Sequence, residues 1–360
     1  MLITDSAALA ACCEAWRDAP WLAVDTEFVR EDTYFPQLAL VQLGDGQRRV
    51  AVDATAVDLA PLWSLLARPG LLKVLHSPSQ DLEIFVHQTA ACPAPLFDSQ
   101  IAATLLGLGE MPGYAALVQT LLGVEVDKRL SRTPWLRRPL RAEEIDYALD
   151  DVRHLAVIYP DLEQRLREAG RLSWLQEDCA ALCEARRYQP DPQREWQRLR
   201  GLARLEPRAQ PVAAALARWR EQVAVARNRP RKWILADEAL YRLAERAPAT
   251  REQLEALAVL PAKTLERHGA ELLAVIDEGR ARPPQALARE DRLSEPERQR
   301  LRRLQDQLQA IATELRLPVA LLAPRADLEA LLFEGEAAAI PLLRGWRREV
   351  AGEALLRTRG

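Results

Sequence analysis

No stretch of this 360-residue chain approaches the roughly 20 consecutive apolar residues that a bilayer-spanning helix requires. Nor does Met1 to Ala11 place a basic segment ahead of an apolar one, so no export signal is legible and a cytoplasmic location is expected. Cysteine is scarce: Cys12, Cys13, Cys92, Cys179 and Cys183 are an odd set without a Cys-x-x-Cys pair. That argues against a disulfide framework and fits a reducing compartment, with Cys179 and Cys183, on one helical face, read as small buried side chains. An excess of one charge is missing too, since the whole chain carries only −3. The balance hides a division: residues 1–170 hold 15 Lys and Arg against 24 Asp and Glu, a net of −9, whereas 171–360 hold 34 against 28, a net of +6. An acidic half that gathers metal and a basic half that draws phosphate would suit a protein that processes polyanions; surface solvation alone would give the same split.

What is present is 49% hydrophobic and 28% charged, a globular composition whose length suggests two or three domains at the usual ~100 to 200 residues each. The stretch that orders the rest is Leu22-Ala23-Val24-Asp25-Thr26-Glu27-Phe28-Val29. On a strand, Asp25 and Glu27 point to the same face. Two like charges there repel and are costly to bury without a cation or proton, so the pair reads either as metal ligands or as a strand end where both reach water. Leu38–Leu43, a turn at Gly44-Asp45-Gly46 and Arg49–Val52 then read as a hairpin. Helix at Pro61–Leu66, strand at Leu71–Leu75, helix at Gln80–His87 and a short strand at Phe97-Asp98 follow. Helices at Ile101–Leu106, Tyr114–Leu122 and Glu143–Arg167 complete an α/β domain with a mixed sheet over 1–170.

Between the last two helices lies a loop of a different kind. Lys128, Arg129, Arg132, Arg137, Arg138 and Arg141 occur there without an acid, interleaved with Trp135 and Pro139. A basic, aromatic-bearing loop just before an acidic helix is placed to hold a phosphate backbone; a solvated loop is the plainer alternative. From Leu172 onward strand signals are absent, and Leu, Ala, Glu and Arg dominate. A helical connector is expected at 171–208, then helical modules at 211–284 and 293–360, parted by Pro283-Pro284. The modules look like diverged repeats: Ile234-Leu235-Ala236-Asp237 parallels Leu321-Leu322-Ala323-Pro324.

Two further acids join the first pair. Asp81 follows the strand Val74-Leu75-His76, where a helix N-terminus would hold a carboxylate beside the sheet. Asp151 lies one turn after Tyr147 on one helical face, while Asp146 and Asp150 are about 100° round the helix, toward solvent. Four carboxylates from a strand, a helix start and a helix can bind two divalent ions, Mg²⁺ or Mn²⁺ for an all-oxygen site, and so support phosphoryl transfer. Tyr147 is then the group to orient or deprotonate a metal-bound water.

These stretches resemble the motifs of the 3′-5′ exonucleases that use four metal-binding acids and a tyrosine, and within them the ribonuclease D family. Asp25-Thr26-Glu27 is similar to the first motif, His76-Ser77-Pro78-Ser79-Gln80-Asp81-Leu82-Glu83 to the second, and Tyr147-Ala148-Leu149-Asp150-Asp151 to the tyrosine form of the third. Phe97-Asp98-Ser99-Gln100 and Trp135-Leu136-Arg137-Arg138-Pro139-Leu140 also look like that family. The resemblance implies a ribonuclease-H-like α/β domain with a mixed sheet followed by all-α helical modules. It implies Asp25, Glu27, Asp81 and Asp151 as metal ligands and Tyr147 as the catalytic tyrosine. The implied reaction trims the 3′ ends of structured RNA, notably tRNA precursors, to nucleoside 5′-monophosphates. The 211–284 module resembles an HRDC domain through Ala217-Arg218-Trp219-Arg220 and Pro230-Arg231-Lys232-Trp233-Ile234-Leu235, and 293–360 is similar but fainter.

RNA contacts are expected at Lys128, Arg129, Arg132, Arg137 and Arg138, and at Arg218, Arg220, Arg231 and Lys232, with Trp219 and Trp233 read as core. Removal of 211–360 is expected to leave a nuclease that still degrades short single strands but handles structured RNA poorly. The acids do not report the sugar, so DNA trimming stays open, as does an inactive RNA-binding scaffold, although none of the five site residues is missing. Oligomeric state is not legible.

Overall fold

The computed structural model describes residues 1–127, 129–283 and 293–359; Lys128 and Pro284, both used in the sequence reading, lie outside the described residues. Among the described residues no helix is long and apolar enough to cross a membrane. The chain divides into two compact units. One comprises the described residues of Met1–Val29, Leu38–Tyr188 and Leu293–Gly360, the other those of Arg30–Gln37 and Gln189–Arg292.

The first unit begins with β1 (Leu2–Ile3), α1 (Ser6–Ala15), β2 (Trp21–Val29), β3 (Gln37–Gly44), β4 (Arg49–Asp53), α2 (Ala60–Leu66) and β5 (Leu72–Leu75). It continues with α3 (Ser79–Thr89), β6 (Leu96–Asp98), α4 (Ser99–Leu105), α5 (Tyr114–Leu122), α6 (Ala142–Glu168) and α7 (Leu172–Leu182). The strand order is β1-β4-β3-β2-β5-β6. β3 and β4 run antiparallel, from Leu40 opposite Asp53 to Gly44 opposite Arg49, while the β1/β4, β2/β5 and β5/β6 pairs are parallel. The sheet is therefore mixed, as expected. The hairpin turns on Asp45, whose Oδ1 accepts from the backbone N–H groups of Gln47 and Arg48 at 2.9 and 2.6 Å. Gly46 there holds φ +85°, which favours glycine. β1 and α1 were not legible in the sequence.

The helix α6 explains much of the unit. Its first turn carries Glu143 and Glu144 and its last Arg165 and Arg167, a charge order that complements the helix dipole. Ala148, Val152, Leu155, Ala156 and Tyr159 form the buried stripe that packs on the sheet. At Gly44 a side-chain carbon would sit 3.5 Å from Val152, so the helix lies close on the end of β3.

The second unit is built from α8 (Gln210–Arg227), α9 (Arg231–Ile234), α10 (Asp237–Arg246), α11 (Arg251–Ala256) and α12 (Ala262–Ala281). α12 crosses α8 so closely at Gly279 that a Cβ there would lie 2.6 Å from the Cα of Val212. The Arg30–Gln37 segment folds with these helices. Tyr34 is buried and donates its hydroxyl to Glu221, while Arg231 bonds Glu221 at 2.5 and 2.8 Å, Tyr34 Oη at 2.9 Å and Glu195 at 2.9 Å. Asn228, the left-handed cap of α8, accepts from the backbone N–H groups of Tyr34 and Phe35 at 3.0 Å each.

The C-terminal stretch starts with α13 (Glu295–Leu315), α14 (Val319–Leu322) and α15 (Arg325–Glu334) and ends in short helical segments. Its backbone follows that of α8–α10 step by step. A left-handed cap, Asn228 or Arg316, precedes a proline at φ −55° or −61°. A four-residue helix and an extended residue follow, Leu235 at φ −155° or Ala323 at φ −157°.

The compact units do not follow the boundaries expected from sequence. Residues 293–360 join the α/β sheet, because one apolar cluster runs from the sheet through Leu175 and Cys179 to Leu301, Leu304, Trp346 and Leu355. Trp174 and Trp346 stack at 4.6 Å and 7°. Arg347 pairs with Asp178 through both nitrogens, and the Trp346 indole N–H donates to the same carboxylate at 3.1 Å. Expected consequences can be measured by denaturant unfolding and size-exclusion chromatography. Asp178→Ala leaves a buried guanidinium without its partner and lowers stability by roughly 3–5 kcal/mol. A chain ending at Tyr188 uncovers several apolar side chains worth roughly 1.5–3 kcal/mol each and aggregates. A soluble monomer melting with the full chain would show that 293–360 is dispensable.

Candidate metal centre

The parallel register pairs Trp21, Leu22 and Ala23 with Leu72, Lys73 and Val74, and β5 ends at Leu75. Asp25 and Glu27 therefore lie where β5 gives way to α3. α6 packs across β2 and brings Tyr147 and Asp151, one turn apart, to the same place. One ligand oxygen each from Asp25, Glu27 and Asp151 lies within 4.8 Å of the others. Asp81, in the first turn of α3, stands outside this trio: its Oδ1 accepts from Thr26 Oγ1 at 2.5 Å. Its charge still acts on Asp25 and Glu27. Asp146 is exposed and Asp150 pairs with Arg153 at 3.2 Å, on the solvent side as expected.

Burial, then the charges of Asp151, Asp81 and Glu27, hold the Asp25 carboxyl well above its ordinary range. Burial with Asp151 and Asp81 pushes Glu27 up to about 9. Burial and Asp150 take Asp151 to about 7, and burial takes Asp81 to about 6 against the hydrogen bond from Thr26. Acids so arranged retain protons until a cation replaces them. The all-carboxylate donor set fits a hard divalent ion.

A cavity of about 560 Å³ opens beside the carboxylates, lined among others by Asp25, His76, Tyr114, Ser131, Tyr147 and Asp151. Tyr147 is half-buried and stacks on Trp135 at 6.2 Å and 23°; burial and the adjoining acids raise its phenol, which stays neutral. Sequence reasoning missed Thr26 and Tyr114 and gave His76 no role of its own. Tyr114 opens α5 and donates its hydroxyl to the backbone carbonyl of Asp151, and its ring meets His76 at 5.4 Å. His76 shares a hydrogen bond with Ser99 at 2.9 Å, and burial lowers it to about 4, so the imidazole is neutral. A hydroxyl bonded to a carbonyl 37 residues away leaves no periodic signal in the sequence.

The expected phosphate contacts divide. Arg138 bonds Asp53 at 2.5 and 2.6 Å and the Trp135 carbonyl at 2.6 Å, so its guanidinium is already partnered within the protein. Arg137, at 2.6 Å, and Arg141 hold Glu144, which is buried in the first turn of α6. The expectation of an RNA contact at Arg220 is corrected by its burial: it is 4% exposed and bonds Asp237 at 2.6 Å and the Leu235 carbonyl at 3.1 Å. Arg218 pairs with Glu278 and Arg231 with Glu221 and Glu195. The shared reason is that a cation drawn into the protein needs a carboxylate partner there. Arg129 pairs with Asp127 at 2.7 Å on the surface, and Arg132 and Lys232 are exposed. Trp219 is core, as expected, whereas Trp233 is not.

Residues 1–167 match the family model of the 3′-5′ exonucleases, and residues 209–276 that of the HRDC domain. A ribonuclease D of Nitrobacter hamburgensis is 38% identical over 370 residues, spanning 99% of this chain and 94% of the relative. One of Pseudomonas paraeruginosa is 40% identical over 363 residues, spanning 98% and 96%. The chain belongs to the ribonuclease D family. Membership of the ribonuclease D family makes it a 3′-5′ exoribonuclease with an α/β nuclease domain and an HRDC domain. Escherichia coli RNase D, described as an exoribonuclease involved in structured RNA processing, matches with a TM-score of 0.89 at 32% identity over 99% of this chain and 98% of that one.

The raised carboxyl values fix the sign of a pH effect. Unfolded Asp and Glu lose their protons near pH 4, whereas the folded, metal-free site keeps them up to about 6, 7 and 9 at Asp81, Asp151 and Glu27. The site's contribution to stability is thus full below about pH 4 and falls as pH rises through those values. Divalent ions should reverse the loss, so the rise in Tm on adding Mn²⁺ or Mg²⁺ should be greater at pH 8.5 than at pH 5.5. Asp25→Asn should raise the metal-free Tm at pH 8 by a few degrees, at about 2–4 °C per kcal/mol. Differential scanning calorimetry with and without chelator decides it; equal metal effects at both pH values would refute the sign.

Proposed function

We propose that Asp25, Glu27, Asp81 and Asp151 hold two divalent cations, Mg²⁺ or Mn²⁺, at which the 3′ ends of structured RNA are trimmed to nucleoside 5′-monophosphates. Precursors of tRNA are the substrate class, and the cytoplasm is the location that fits an intracellular RNA substrate and five free cysteines. The observation that carries the reading is the convergence of Asp25, Glu27 and Asp151 within 4.8 Å beside a cavity. When bound, the ions supply positive charge to the attacking and leaving oxygens of the phosphodiester.

The chain's own groups do the rest. Asp25 and Glu27 present ligand oxygens from one rigid strand, and Asp151 presents its own from α6, whose backbone Tyr114 ties in place. Thr26 holds Oδ1 of Asp81 and so orients its carboxylate at the start of α3. Tyr147, as a neutral phenol held against Trp135, orients the water that attacks the phosphodiester of the 3′-terminal nucleotide. Arg129 and Arg132, with Lys128, are the loop cations for the phosphate backbone, and Lys232 is its counterpart on the helical unit, where Arg218 and Arg231 already have carboxylate partners. The repeated backbone path supports reading 293–360 as a second, diverged HRDC-like domain after the exonuclease domain, the connector and the first HRDC domain.

Timed incubation of labelled tRNA precursor and matched DNA with Mg²⁺ tests the reading. Stepwise mononucleotide release from the RNA is expected. Asp25→Asn or Asp151→Asn should abolish it while RNA binding persists, and Tyr147→Phe should slow single turnover by roughly 10²- to 10⁴-fold with affinity nearly unchanged. Wild-type rates in either aspartate variant would sink the metal assignment, and an unchanged Tyr147→Phe rate would leave that residue a packing role.

A further inference from the structure

Among the described large apolar side chains, Trp233 is 62% exposed, while its neighbours Ile234 and Leu235 are buried at 8% and 3%. The core of the helical unit is thus closed without the indole. Its setting is cationic and built rather than loose. The Arg229 guanidinium lies 5.9 Å from the ring centroid and is itself fixed by Asp32, through the carbonyl at 2.9 Å and Oδ2 at 3.0 Å. Lys232 is exposed next to it in α9. The approach is held by the left-handed Asn228 cap and by Pro230 at φ −55°. At the matching place of the C-terminal repeat stand Ala320 and Leu321, so only the first repeat carries this pairing of ring and cation.

We propose that Trp233, flanked by Arg229 and Lys232, is a stacking platform for an unpaired nucleobase of the RNA substrate. The inference rests on RNA being the substrate and adds a contact on the helical unit, outside the metal centre. An exposed indole offers a flat face to any base, the guanidinium fixed over the ring backs the opposite face, and the ammonium of Lys232 meets a flanking phosphate. The exposed ammonium of Lys232 favours a polyanion over an apolar protein partner. An arginine already neutralised by Asp32 serves as a planar surface more than as a charge, so base contact and phosphate contact fall on different residues.

That separation makes the test decisive. Binding of a labelled adenine-rich single strand, and of the same strand with abasic sites, is measured across a salt series for the full chain, Trp233→Ala, Trp233→Phe and Lys232→Ala. Trp233→Ala should weaken binding of the intact strand about 5- to 150-fold with the slope of log affinity against log salt unchanged. Binding of the abasic strand should barely change. Trp233→Phe should recover most of the loss. Lys232→Ala should flatten the slope by roughly 0.7 to 0.9 for both strands. Wild-type affinity in Trp233→Ala overturns the proposal, as does an equal loss on the abasic strand, which would mark a phosphate site only. A change in oligomeric state without a change in RNA affinity overturns it in favour of a protein contact. Because Trp233 is exposed, the variant should keep the wild-type Tm, and hydrolysis of dinucleotides should be unaffected. Failure of the wild type to release mononucleotides from RNA would strike the proposed function, whereas normal release with Trp233→Ala unaltered in binding strikes only this inference.

Discussion

Repulsion among carboxylates is the constraint around which the nuclease unit is arranged. Asp25 and Glu27 are held on one face of a strand whose earlier residues, Leu22 to Val24, are fully buried, so neither can move away from the other. Asp151 is pressed toward them by α6, and that helix is pinned at several levels. Glu144 in its first turn is held by Arg137 and Arg141, Trp135 stacks on Tyr147, and Tyr114 bonds the carbonyl of Asp151 itself. Below them Val152 lies against Gly44. Such a site is expensive to hold without cations and pre-shaped to take them, a standard relation between stored electrostatic strain and ligand affinity.

The same physics sorts the arginines. Where the chain brings a guanidinium inward, a carboxylate or carbonyl meets it: Arg138 at Asp53, Arg220 at Asp237, Arg347 at Asp178. Arg138 is instructive because it sits in the loop that looks most like a phosphate clamp. Its role is to fasten that loop to the end of β4, which lets the remaining exposed cations be presented from a fixed frame. A run of positive charge in a sequence therefore mixes residues that bind with residues that build.

Much of the fold and of the centre could be read before any coordinates. The two-residue step from Asp25 to Glu27, the four-residue step from Tyr147 to Asp151, and the hairpin glycines are local signals, and local signals survive in sequence. Asp81 was legible as a partner but not as one held back by Thr26, because that bond joins a strand to a helix 55 residues away. The fusion of 293–360 with the sheet was also hidden. Trp174 and Trp346 each look like ordinary helical core, and only the three-dimensional path makes them one stacked pair. Trp233 misled in the opposite sense, since an aromatic between Lys232 and Ile234 has the spacing of a buried residue and not its environment.

The Arg30–Gln37 loop has a bearing on how such proteins can be reassembled. It leaves the strand that carries Glu27, supplies Tyr34 to the Glu221–Arg231–Glu195 cluster and two backbone donors to Asn228, and then returns as β3. The helical unit is thus completed by a piece of chain encoded more than 150 residues before it. Gene fusion at a single junction near residue 189 would import helices without that piece, leaving the nearly sealed carboxylate of Glu221 one donor short. The loop between the nuclease strands and the helices thus form one folding unit made of two separated stretches of chain, and neither stretch is complete without the other.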